Sequence, residues 1–520
     1  MKSNIRGLDR LRHWERNPYE YVSAAIWGCY LLLTRDFAPL RDRLRSLLGR
    51  LREVPRLLRE GQQNLTNPPR VWTEVALEAL AGAVGYFEHE VPRQAAPPMA
   101  DDLVAQIAEA SRAAAEALRS YGRFLEQDLL GRSNGEYAIG EDLFEEILRE
   151  EHFLDYTAES MLSTGRRLYE EIRLEMERLA QQIAPGRPLR EVVDELGREY
   201  PSSESLLDHY RQEMLRARDF ALQKKLVSVP VAEKLELAET PQAFWSIIPY
   251  AMYMPPAPFE DVQTGTFFVT PVDPLADAER RAQQLAGHSL HKIPVVALHE
   301  GYPGHHLQLV WANTNPSKVR KQFFSTLFIE GWAFYCEELM ERYGFISDRR
   351  SRLARLSQEL WRAARIIADV SLHTAGMTIP QAVDLMLEAG LEPVNALAEV
   401  RRYSMSPTQP MSYLIGKLEI MKMADRYRQW KGGKFDLADF HAALLSTGSL
   451  PPALAAKRLF AESSATTVWP AKPAPSRARR RTRRVTKARS KSRVAPRPTK
   501  ASGKKSATQI KVRTKRRARR

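Results

Sequence analysis

The sequence predicts a mainly α fold: one large helical domain with a small β-sheet, followed by a disordered basic tail. Three observations carry that reading. Long Ala-, Leu- and Glu-rich stretches repeat apolar residues every three to four positions. Breakers separate them, at "TNPPR" (66–70), "APGRP" (184–188) and "MTIPQ" (377–381). One segment, 246–274, is instead rich in proline, aromatic and β-branched residues.

In chain order, the charged start "MKSNIRGLDRLRHWERNPYEY" lacks a signal-peptide layout. The longest apolar run, "YVSAAIWGCYLLL" (21–33), is shorter than the roughly 20 residues that span a membrane, so it is expected as a core helix. A cytoplasmic location follows as the expectation. Residues 101–130, 140–183 and 350–372 read as amphipathic helices. "GTFFVTP" (265–271) reads as a strand that needs a hairpin partner or lies at the edge of a small sheet. Cys29 and Cys336 match no metal or redox spacing and are expected to be buried thiols in a reducing compartment. The helical domain is expected over 1–465 and the tail over 466–520, where the composition collapses into Lys, Arg, Ala, Ser, Thr and Pro.

Charge divides along the same line. The whole chain is net +15, yet 22 of its 78 Lys and Arg, and none of its 63 Asp and Glu, lie in 471–520. The remainder has 56 basic against 63 acidic residues, a net of −7. The molecule is therefore a mildly acidic globule with a cationic tail. That tail, including Arg479, Arg480, Arg481, Arg483, Arg484, Arg516 and Arg517, is expected to bind nucleic acid or another polyanion through phosphate charge. From 476 onward it has no aromatic residue for base stacking. Such a tail would associate the protein with the nucleoid; anionic lipid is the lesser alternative.

The chemistry concentrates in "ALHEGYPGHHLQL" (297–309). In H-E-x-x-H, residues four apart share a helix face, so both imidazoles reach one ion and the glutamate faces the activated water. Here His299-Glu300 is present, but Pro303 stands four after His299, and the next histidines are His305 and His306. An unbroken helix would hold His299 and His306 about 10.5 Å apart along its axis, too far for one ion. "GYPG" does not ask for an unbroken helix. With two residues bulged out, "HE··PGH" superimposes on the motif, with His305 as second ligand and His306 turned toward substrate or core. His306 remains the alternative ligand. The third ligand is expected to be Glu330, the only charge among the fourteen residues from Phe323 to Cys336, because a carboxylate in such surroundings is costly without a cation. Glu337, seven positions on, falls on nearly the same face, where it would support the site, bind a substrate amine or lie exposed.

"HEGYPGHHLQ", "EGWAFYCEEL" and "PTQPMSYLIGKLEI" (407–420) together resemble the bacterial domain-of-unknown-function family 885 over about residues 15–460. That family is similar to gluzincin-type zinc metallopeptidases, above all the largely helical thimet oligopeptidase, neurolysin and Taq carboxypeptidase-like enzymes. The resemblance implies a zincin-like helical domain with its sheet beside an active-site cleft. It implies one Zn2+ per chain on His299, His305 and Glu330, with Glu300 as general base. The two-residue insertion is where this chain departs from their H-E-x-G-H.

The expected activity is hydrolysis of a peptide bond by metal-activated water. Tyr413 and Tyr403 are candidate donors to the oxyanion, since a phenol donates without carrying charge. Arg401 and Arg402 are candidates for a substrate carboxylate. Gly265 and Thr266 would meet an extended peptide added to the sheet edge, walled by "PYAMYMPP". Two alternatives stand beside this: hydrolysis of a non-peptide small amide, and a non-catalytic helical nucleic-acid-binding protein.

Overall fold

Apolar residues spaced three or four apart become helices that turn one face to a neighbour. In this computed structural model the described residues are 2–96, 102–245, 248 and 250–461. The tail with Arg479, Arg480, Arg481, Arg483, Arg484, Arg516 and Arg517 lies outside them. Four helices build the N-terminal part: α1 (Pro18–Thr34), α2 (Leu40–Asn64), α3 (Arg70–Gly85) and α4 (Asp102–Phe124). On α2 the stripe Leu44, Leu47, Leu51, Val54 and Leu58 is buried. Each such side chain stabilises by roughly 1.5–3 kcal/mol. The apolar run at 21–33 is inside α1 and buries Val22, Ala25, Ile26 and Cys29 in the same cluster, as a core helix does. No described helix is long and apolar enough to cross a membrane.

The segment 140–183 is two helices, not one: Glu141–Glu150 and α5 (Ala158–Ile183). Thr157 makes the break by capping α5, with its side chain accepting from Ser160 N and the Ser160 hydroxyl serving Thr157 N. After α6 (Leu206–Gln223) come strands β1 (Glu233–Glu239), β2 (Ala251–Met254) and β3 (Gln263–Val269). The remaining helices that matter to the site are α7 (Ile293–Glu300), α8 (His305–Asn313), α9 (Thr326–Arg342), α10 (Arg349–Thr374), α11 (Pro393–Met405) and α12 (Ser412–Lys431). The three breakers read from sequence all fall at helix boundaries.

The sheet order is β1-β3-β2, with β1 parallel and β2 antiparallel to β3. The strand expected at 265–271 is thus β3, and it has the antiparallel partner it needed. It is central, however, not an edge. Phe267, Phe268 and Val269 are consecutive and all buried, a pattern suited to a strand covered on both faces.

Candidate functional site

The motif segment folds as a complete break instead of a bulge. α7 ends at Glu300, residues 301–304 are non-helical with a cis Tyr302–Pro303 peptide, and α8 begins at His305. Proline cannot donate to the helix ladder, and Gly304 lets the chain fold back on α7. A Cβ at Gly304 would sit 1.9 Å from the His299 carbonyl oxygen. Gly304 N donates to Leu298 O at 3.1 Å, and Trp332 of α9 donates to Pro303 O at 2.8 Å. The break is therefore tied to the helix that carries Glu330. α9 in turn crosses α12 at two glycines: a Cβ on Gly331 would lie 2.4 Å from the Gly416 backbone. One turn before Gly416 stands Tyr413.

This arrangement brings His299, His305 and Glu330 together, with one ligand atom from each within 4.8 Å of the others. His305 Nε2 is 3.3 Å, and His299 Nε2 3.9 Å, from Glu330 Oε2. Two ligands about 2 Å from a shared ion lie no more than about 4 Å apart, so both separations fit a zinc-sized cation. Glu337 is buried, and its Oε1 accepts a hydrogen bond from His299 Nδ1 at 2.7 Å. That leaves the His299 Nε2 lone pair for an ion. His305 Nδ1 is buried without a hydrogen-bond partner among the described residues. Burial works against the Glu330 charge, but His305, His299 and Arg365 outweigh it and hold the carboxyl down at about 2. Burial likewise depresses His305, yet the charge and hydrogen bond of Glu330 raise it above its ordinary value.

These groups open onto a cavity of about 430 Å³. Glu300, the last residue of α7, lines it beside His299 and has no side-chain hydrogen bond among the described residues. Tyr413 lines it as well; Gln409 approaches its hydroxyl at 3.5 Å, and no described acceptor takes the phenol proton. Tyr250, Ala251, Met252 and Tyr253 form another wall of the cavity. Arg402 lines the cavity and pairs with Glu399 at 2.7 Å.

Other expected site residues stand elsewhere. His306 is wholly buried between Glu233, at 2.6 Å, and Tyr253, at 2.8 Å, so it packs β1 and β2 against α8 and faces no substrate. It is one residue from His305, and a helix turns about 100° per residue. Gly265 and Thr266 are corrected for the same reason as β3. Thr266 pairs with Glu236 on one side and Met254 on the other, and Gly265 abuts the Tyr253 hydroxyl and His306. A central strand has no free edge for a peptide. Tyr403 is in the core; its hydroxyl accepts from Arg365 at 2.8 Å and Trp361 at 3.1 Å, so it props Arg365 and does not meet the cavity. Arg401 turns to α3 and pairs with Glu78 at 2.6 Å.

Two cavity residues, Arg362 and Arg365 on α10, went unrecognised in the sequence. In "WRAARIIADVSL" (361–372) they stand three apart on one helix face with Gln358 and Asp369, which reads as an ordinary solvated side.

No match was found among curated proteins. Two solved structures share the architecture. A "putative lipoprotein of unknown function" from Shewanella oneidensis is 26% identical, with a TM-score of 0.70 over 88% of this chain and 85% of that one. A "putative lipoprotein" from Colwellia psychrerythraea is 21% identical, with a TM-score of 0.72 over 84% of this chain and 79% of its own, and shows likeness of fold alone. Residues 4–459 match the family described as bacterial protein of unknown function (DUF885), and the chain belongs to that family.

Proposed function

We propose that this protein is a zinc-dependent hydrolase of amide bonds in short peptides. The observation that carries the reading is the convergence of His299, His305 and Glu330 at the wall of a cavity that Glu300 also lines. Two imidazoles and one carboxylate are the donor set of the gluzincin-type peptidases that the motifs resemble. One Zn2+ held there supplies Lewis acidity and lowers the pKa of water toward about 7. Glu300, beside His299, would hold a proton taken from water on its carboxylate and give it to the leaving nitrogen. Tyr413 donates its phenol proton to the oxygen that gains charge. Burial, and then the nearby Glu330 charge, raise that phenol above its ordinary value, so it stays a neutral donor at neutral pH. Glu337 fixes the orientation and tautomer of His299. A cavity of about 430 Å³ accepts a few residues of peptide and excludes a folded protein. That size also suits the second enzyme reading, a small non-peptide amide.

Metal analysis of the purified protein, together with cleavage of a mixed short-peptide library, tests the reading. One zinc per chain is expected, and Glu300→Gln should keep the metal while losing roughly 10²–10⁴-fold or more in turnover. Absence of stoichiometric zinc, or near-normal turnover in Glu300→Gln, would overturn it. The basic tail is proposed separately to hold nucleic acid or another polyanion.

A further inference from the structure

One wall of the cavity is cationic. α10 presents Gln358, Trp361, Arg362 and Arg365 to it, a spacing of three and four that keeps them on one face. Arg362 is 9% exposed and Arg365 3%. Arg365 pairs with Glu399 at 3.0 Å, but Arg402 shares that same carboxylate. Arg362 lies against the Trp361 ring at 4.3 Å and donates only to Gln358 among the described residues, with Nη1 at 2.6 Å from Oε1. Its Nε, and Nη1 of Arg365, are buried donors with no described partner. Arg362, Arg365 and Arg402 line the cavity with Glu399, which pairs with the last two, while Arg362 has no ion pair among the described residues. A buried cation without an ion pair is costly, and a fold that keeps one beside a binding cavity gains once an anion arrives. Burial, and next the Arg365 charge, pull the Arg362 guanidinium below its ordinary value by more than the Glu337 charge restores.

We infer that Arg362 and Arg365 form a carboxylate-binding subsite that anchors the substrate, an inference that rests on the amide-hydrolase reading for what the substrate is. The guanidinium fork matches the two oxygens of a planar carboxylate. In a short peptide, that group is the free C-terminus or an acidic side chain. With the C-terminus held within a cavity of this size, the scissile bond falls one or two residues from it, and the enzyme acts as a carboxypeptidase.

The test uses the full-length Glu300→Gln protein as purified, so that binding is read without turnover. Calorimetry compares N-acetyl-Phe-Leu as the free acid, its C-terminal amide, and N-acetyl-Phe-Glu amide. The free acid should bind about 10- to 100-fold more tightly than its amide. Adding Arg362→Gln should erase that ratio, while Arg362→Lys should retain part of it. If N-acetyl-Phe-Glu amide matches the free acid and depends on Arg362, the subsite stands and the carboxylate comes from the side chain. Equal or undetectable binding of acid and amide overturns the inference, as does a preference that survives Arg362→Gln. The acid-to-amide comparison needs no change at Arg362, so a misfolded variant does not spoil it. If the wild-type protein cleaves none of these peptides while the acid preference persists, the hydrolase reading fails and the subsite remains.

Discussion

Glu337 shows how much one buried carboxylate determines. It is 1% exposed, and its only hydrogen-bond partner among the described residues is His299. Its charge makes the Nδ1–H tautomer of His299 favourable and leaves Nε2 basic. Glu337→Gln keeps the shape and removes the charge, so zinc affinity measured against a competing chelator should fall about 10- to 100-fold; an unchanged affinity would show that Glu337 does not tune the ligand. The pH dependence follows from His305. Only a neutral imidazole binds metal, and Glu330 raises His305 despite its burial, so protons compete for it at a higher pH than for a free histidine. Zinc affinity should therefore begin to fall as pH drops through a value above 6.5, by up to about tenfold per unit, while Glu330, held at about 2, stays charged throughout. Titrations between pH 8 and 5.5 check this, and a midpoint below 6.5 would contradict it. From sequence, the convergence of His299, His305 and Glu330 was legible because their chemistry is costly anywhere else. For Glu337 the sequence leaves three roles open, because its partner lies 38 positions away. Arg362 and Arg365 were hidden by their resemblance to the charged side of any amphipathic helix.

At the scale of elements, the site depends on two close approaches that only glycine permits. The first is Gly304 against the end of α7. The spacing rules out a regular helix, but more of the chain leaves the helix than the two residues the spacing requires. Two bulged residues would have kept one helix; the fold instead ends α7 and restarts α8, because Trp332 holds the Pro303 carbonyl from outside. The strand at 263–269 was similarly legible as a strand but not as a central one, since β1 pairs with it from 30 residues earlier. The second approach is Gly331 on Gly416, which lets α9 and α12 meet backbone to backbone and places Tyr413 near Glu330. A Cβ on Gly416 would stand 2.0 Å from the Leu327 carbonyl oxygen, and backbone there cannot rotate aside. Gly416→Ala should therefore force the two helices apart, at a cost of about 1–3 kcal/mol in urea unfolding. Because Glu330 neighbours Gly331 on α9 and Tyr413 rides on α12, their separation should widen and kcat should fall. Wild-type stability and kcat in this variant would mean that the crossing is looser than drawn.

For the whole molecule, the distribution of charge makes a prediction that no single site contains. A net of +15 suggests a basic protein, but 22 cationic residues and no acidic ones fall in 471–520, and the remainder is net −7. A phosphate backbone attracts the one part and repels the other. Binding by displaced counterions weakens steeply with salt: several phosphate contacts lose roughly 10³–10⁵ in affinity between about 50 and 200 mM. The full chain should be retained on duplex DNA near the lower concentration and released near the upper. A protein truncated after residue 470 should pass through at both, with the same zinc content and the same peptide turnover as the full chain. Sequence preference is not expected, because the segment from 476 has no aromatic residue to stack on bases, and charge alone does not read base edges. If instead the truncated protein is retained as well as the full chain, the acidic globule must itself present a nucleic-acid surface. The reading of the helical body as a nucleic-acid-binding module would then displace the one that assigns this work to the tail. Retention and turnover measured on the same two proteins thus separate the anchor from the chemistry.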